Sequence, residues 1–154
     1  MINLEDNLQA STESEFGRLM NKNLFLYFLD LEVKRARRYQ NFISILLLQF
    51  MQCPDNGQEN DFCTCHQVLA DLLRVEMRET DILGSLGENK LAVLLPYADH
   101  LAGDIAKSRF ESTLKYYDFK SRGYKVLIQQ ISFPEKETIT IGLIRKALGV
   151  DTNN

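Results

Sequence analysis

The chain has 154 residues, of which 45% are hydrophobic, 25% charged and 10% aromatic, and a formal net charge of −3. That is the composition of one globular domain able to bury roughly 70% of its unfolded surface, which excludes intrinsic disorder, collagen-like repeats and coiled coils for its body. The mild negative charge argues against a dedicated nucleic-acid binder, and the longest apolar run, Ile43 to Leu48, is strand-sized rather than the ~20 residues of a membrane span.

In chain order, residues 1–13 read as a flexible polar leader, with neither the basic nor the apolar region of a signal peptide. From Asn21 to Tyr39, Phe25, Phe28, Leu29, Glu32 and Ala36 recur at helical spacing, with Asn21 or Asn23 as cap and Asn41 at the exit. The basic run Lys34, Arg35, Arg37 and Arg38 suits the negative end of that helix. Phe42 to Phe50 is a continuous apolar strand of the kind buried on both faces, and Cys53 to Gly57 is a loop by its turn residues. Val68, Leu69, Leu72 and Leu73 mark a second helix ending near Met77.

Two short strands, Asp81 to Leu86 and Lys90 to Leu95, are joined by Gly87-Glu88-Asn89 as a hairpin, and Pro96 closes the second. Asp99 caps a third helix carrying Leu101, Ala102, Ile105, Ala106 and Phe110. Ser121-Arg122-Gly123 is a turn, Tyr124 to Phe133 a strand, and Ile139 to Leu148 a last helix before the polar tail 150–154. The order α-β-α-β-β-α-β-α predicts one α/β domain, a mixed sheet flanked by helices.

Three cysteines, Cys53, Cys63 and Cys65, with no export signal read as reduced thiols of a cytoplasmic protein. Cys63 and His66 stand three apart, but there is no CxxC, Cys65 points off that face and His100 lies in a later segment, so buried or idle thiols are expected and no metal site. No GxSxG-type nucleophile context occurs either.

Over residues 14–149 the order and spacing of these pieces resemble the GGDEF domain, the catalytic module of diguanylate cyclases. Phe16 to Phe25 loosely follows the family's LTGLxNRxxF leader, and Phe25, Leu29, Glu32, Arg35, Ala36 and Arg38 match FxxxLxxExxRAxR. Arg78-Glu79-Thr80-Asp81 matches RxxD; after five intervening residues Gly87-Glu88-Asn89-Lys90-Leu91 stands at the GGDEF signature, followed by an apolar strand ending in proline. The closing ADxALYxAK is matched only by the remnant Arg145 to Leu148. The resemblance implies a nucleotide-cyclase or palm-type mixed sheet.

The same resemblance implies lost catalysis. Diguanylate cyclases join two GTP molecules by attack of a 3′-hydroxyl on an α-phosphate, with divalent metal held on carboxylates. The positions matching those carboxylates hold Gln49, Asn89 and Lys90, and a lysine repels a metal cation. The signature's glycine pair is reduced to Gly87, with Glu88, which would repel phosphate, beside it. The guanine-reading positions fall on Gly57 and His66 when counted from Gln49, or on Cys63 when counted back from Arg78; neither register supplies a carboxylate.

What survives is Arg78 and Asp81, matching the family's inhibitory site for cyclic di-GMP, where Arg forks onto a guanine or phosphate and Asp accepts from guanine N–H groups. A second arginine usually joins that site in the family, and sequence alone does not place it. The alternative is that Arg78 ends a helix and pairs loosely with Asp81 or Glu79. The expected function is thus a catalytically inactive regulatory domain in bacterial signalling, without a cofactor. Its expected partner is cyclic di-GMP, a signalling protein or a second copy, with neither nucleic acid nor membrane; a protein-docking scaffold without a nucleotide is the first alternative, and an active or GTP-binding nucleotide cyclase comes after it.

Overall fold

The computed structural model describes residues 19–52, 62–117, 119, 123–134, 145–146 and 148–149. Its elements are β1 (Leu19–Met20), α1 (Lys22–Tyr39), β2 (Ile43–Gln52), α2 (Phe62–Glu76), β3 (Ile82–Gly87), β4 (Lys90–Pro96), α3 (His100–Tyr116) and β5 (Tyr124–Phe133). The strands form one five-stranded sheet in the order β1-β3-β4-β2-β5, with β1 parallel to β3 and the other pairs antiparallel. No helix among the described residues is long and apolar enough to cross a membrane.

The continuous apolar run of β2 is explained by two cores, one on each face of the sheet. Ile43, Ile45 and Leu47 join Phe25, Leu29 and Val33 of α1, whereas Leu46, Leu48 and Phe50 join Leu69 and Leu73 of α2 and Phe110 of α3. A strand buried on both sides has no polar alternation to display.

Helix starts follow the expected caps. Asn21 Oδ1 accepts from Leu24 N–H at 2.8 Å and Asp99 Oδ1 from Ala102 N–H at 2.8 Å. The exit of α1 is Gln40 in the left-handed region at φ 56°, and Asn41 N–H then reaches Ala36 O at 2.9 Å. Two glycines set close approaches. A Cβ on Gly84 of β3 would meet the Phe25 side chain at 2.5 Å, and one on Gly103 of α3 would meet Ser44 Oγ at 2.5 Å. Ser44 Oγ in turn lies 3.0 Å from Ala98 O, Asp99 O and Ser132 Oγ, so the start of α3 is fastened to β2 and β5.

The structure corrects several boundaries. Leu19–Met20 is a strand, too short to leave an alternation in sequence, and it pairs Leu19 with Leu83. β2 continues to Gln52 because β5 pairs along its whole length, and α2 begins at Phe62, six residues before Val68. Asp81 lies outside β3, in the turn before it. The leader, the 53–57 loop, most of the last predicted helix and the polar tail lie outside the described residues; Arg145 and Lys146 are helical and Leu148 is buried against the α1 face.

Candidate functional site

Two places carry the predicted site residues: the tip of the β3–β4 hairpin, and the turn that leads into β3. At the tip, β2 and β4 run antiparallel in a register that sets Gln49 opposite Lys90, with Leu127 of β5 on its other side. Phe50 N–H donates to Asn89 O at 2.9 Å and the Asn89 amide reaches back to Phe50 O at 3.4 Å. Asn89 is thereby used to extend the β2–β4 pairing. The strand register slips between Ser85 and Gly87, a bulge-like irregularity after which Gly87 pairs with Lys90.

Lys90 is half-buried, and its Nζ sits 2.6 Å from where a Cβ on Gly149 would be. The left-handed Gly149, at φ 73°, thus leaves room for the amine. Gly87 has nothing within 4 Å of its Cβ position, and Glu88 is exposed. Leu91, the last residue of the signature segment, is fully buried core.

His66, one of the residues reached by counting to the guanine-reading position, projects from α2 onto this hairpin. Its Nε2 is 3.1 Å from Ser85 Oγ, and that hydroxyl donates to Gly87 O at 3.3 Å. Burial pushes the imidazole below its ordinary value, opposed by a hydrogen bond to the Lys90 backbone. The ring is a packed strut between α2 and the hairpin, lying 6.4 Å from the Phe50 ring. Cys65, beside it, is buried in the core. Among the described residues no three His, Cys, Asp or Glu side chains group as metal ligands.

The second place is a closed turn. Asp81 N–H donates to Arg78 O at 3.0 Å, and Arg78 N–H donates to Asp81 Oδ2 at 2.8 Å. The three-residue spacing of RxxD therefore has a local cause: the aspartate folds back on the backbone N–H that opens its own turn. Asp81 is only 8% exposed, and its Oδ1 is buried without a hydrogen-bond partner among the described residues. Burial pushes its carboxyl above the usual range, while the Arg78 N–H and the Arg78 and Arg109 charges pull the other way. Arg78 itself is exposed.

A second arginine close enough to act on the Asp81 carboxyl is Arg109. It comes from α3, which packs beside α2; its Nη2 donates to Glu76 O at 3.1 Å and its Nε lies 3.4 Å from Glu76 Oε2. Thr113 Oγ1 holds the other Glu76 oxygen at 3.0 Å. Arg78, Asp81 and Arg109 thus gather at the C-terminal end of α2, two arginines around one covered carboxylate. Nothing local in the sequence marks Arg109, because its partners sit 33 residues away on another helix.

No protein-family model matches the chain, and no curated protein matches it in sequence. Its fold does match solved structures. A DGC protein from Thermotoga maritima superposes with a TM-score of 0.65 at 17% identity, over 86% of this chain and 93% of that one. The GGDEF domain of FimX from Pseudomonas aeruginosa gives 0.65 at 21% identity, over 84% of each chain. The diguanylate cyclase SiaD of Pseudomonas aeruginosa, solved with its activator SiaC, gives 0.60 at 16% identity, over 88% of this chain and 56% of that one. The chain has a GGDEF-like fold, a five-stranded mixed sheet between helices, as its motifs imply.

Proposed function

We propose that this is a non-catalytic GGDEF-fold regulatory domain that binds cyclic di-GMP at the Arg78 turn. The observation that carries the ligand reading is the meeting of Arg109 with Arg78 and Asp81 at one end of α2. Two guanidinium groups offer forked donors to guanine edges or phosphate oxygens, and charge-assisted bonds of that kind are the strong ones. In this reading Asp81 fixes the backbone from which Arg78 projects, and its Oδ1 accepts from a guanine once the exposed Arg78 side chain swings onto the ligand.

The hairpin tip supports the absence of turnover. At the positions matching the family's metal carboxylates stand an amide tied into the strand ladder, a glutamine paired in the sheet and a lysine amine packed by Gly149. These residues do not fit the divalent cation that diguanylate cyclase chemistry needs, since none supplies negative charge and one is a cation. The partner-docking alternative draws support from SiaD, a protein of this fold solved with another protein bound.

Calorimetric titration with cyclic di-GMP tests the ligand reading. Micromolar binding is expected, weakened at least about tenfold by Arg78→Ala and by Arg109→Ala, each of which removes charge-assisted hydrogen bonds worth roughly 1.5–3 kcal/mol. Absence of heat at high ligand concentration would overturn it. The inactive reading is tested by Gln49→Asp with Lys90→Glu, which restores two carboxylates. No cyclic di-GMP is expected from GTP and Mg²⁺ with this variant, because guanine contacts are missing too; product formation by the unmodified protein would overturn the reading.

A further inference from the structure

We propose that the groove between α3 and β5 is a docking site for an extended, acidic segment of a partner protein, added as a strand beside β5. At its start α3 lies tight on the sheet: Gly103 leaves no room for a Cβ, and Gln130 Nε2 donates to His100 O at 2.9 Å. From Lys107 onward the two elements border an open groove of about 690 Å³. That volume lies within the ~300–1,000 Å³ typical of binding clefts.

Its shape favours a chain over a compact molecule. The groove is lined by the consecutive strand residues 124–128, a length of roughly 16 Å at ~3.3 Å per residue. Successive strand residues face opposite sides, so a groove touching all five follows the strand's margin rather than one face. It touches no residue of β2, the strand that pairs with β5 along ten residues, and among the described residues no strand pairs with the other margin of β5. A helix beside a strand margin that no described strand occupies is the arrangement in which extended peptides are bound by strand addition. There the main chain supplies affinity and alternate side chains supply choice.

Charge sets the class of partner. Lys107 and Lys115 of α3 and Lys125 of β5 border the groove against a single acid, Glu111, in a chain whose net charge is −3. Between them the 42%-exposed Leu127 offers apolar surface. A segment alternating acidic and apolar residues matches both. A lysine on an edge strand also discourages unwanted pairing, but that role does not call for two more lysines on the helix across the groove. A nucleic acid would answer the lysines and leave the strand margin unused. The inference stands apart from the cyclic di-GMP reading, because α3 turns Arg109 toward α2 and Lys107 and Lys115 toward β5.

The test is fluorescence anisotropy of the full chain with a labelled seven-residue peptide alternating glutamate and valine. Saturable binding is expected, weakened at least about tenfold by the exposed pair Lys115→Glu and Lys125→Glu, whose fold is checked by circular dichroism. A lysine–valine peptide should then bind that variant and not the unmodified protein. Hydrogen exchange should slow at β5 amides when the glutamate peptide is bound. Equal binding of both peptides to the unmodified protein, indifference to the charge reversal, or tighter binding of a single-stranded oligothymidylate would each overturn the proposal, as would no binding at all.

Discussion

The body and the tip of the β3–β4 hairpin are a few residues apart and obey different rules. Every residue from Leu91 to Leu95 is fully buried, and Gly84 lies under Phe25 so closely that no side chain fits. Three residues on, a Cβ at Gly87 would meet nothing, and Glu88 is exposed. Packing alone fixes the body, because removing or adding a methylene in a filled core is felt at once. At the tip, only chemistry with a ligand would fix the residues. A sheet of this fold can therefore keep its strands while the residues at its hairpin tip vary.

The largest test of that contrast is Gly84→Ala. The new methyl would meet Phe25 Cβ at 2.6 Å and its ring at 2.5 Å, and Phe25 is fully buried on α1 and has no room to withdraw. A loss of about 3 kcal/mol is expected from overpacking, read as a lower urea midpoint with an unchanged slope. A loss below about 0.5 kcal/mol, the level of an ordinary surface change, would mean that the body is looser than its packing implies.

How much of this was legible in the sequence follows from the same contrast. β2 and β4 announce themselves because burial on both faces demands unbroken apolar runs, β5 at the sheet edge alternates buried and exposed residues over its first half, and Asn21 and Asp99 mark helix starts because a cap needs a side-chain oxygen there. β1 was hidden, since two residues held by parallel pairing to Leu83 and Gly84 carry no period of their own. The spacing of Arg78 and Asp81 was visible, but not that the aspartate closes its own turn under cover. Arg109 was invisible because only the packing of α3 beside α2 brings it there. The tuck of Lys90 against Gly149 is a long-range contact of the same kind.

A smaller effect is expected at the turn. Asp81→Ala removes the bond to Arg78 N–H and costs about 1 kcal/mol. Asp81→Asn keeps an acceptor and removes the charge, which separates the hydrogen bond from the titration. Burial raises the folded-state carboxyl above its ordinary 3.8. The folded chain therefore holds the proton more tightly than the unfolded one. That contribution is fully present below the unfolded value and is lost as pH rises through the folded value. The unmodified protein should lose this increment on going from acid toward neutral pH, and Asp81→Asn should flatten that part of the urea-midpoint profile. His66 works in the opposite direction: its lowered value gives a contribution present above 6.5 and lost as pH falls through the folded value. A profile unchanged by Asp81→Asn would mean that the carboxylate is better solvated than its position indicates.

The smallest expected effect is the sharpest test of the tip. Gly87 is the one glycine left at the signature, and a glycine is kept for packing, for a left-handed backbone, or for a ligand that must come close. The first reason fails because its Cβ position is open. The second fails because Gly123 and Gly149 are the glycines with positive φ among the described residues. Gly87→Ala should therefore leave the urea midpoint within about 0.5 kcal/mol of the unmodified protein, and leave cyclic di-GMP titration at Arg78 unchanged. If Gly87→Ala keeps full stability yet abolishes nucleotide binding, the third reason holds. The ligand would then lie at the hairpin and not at the Arg78 turn, and the tip would be a working site after all.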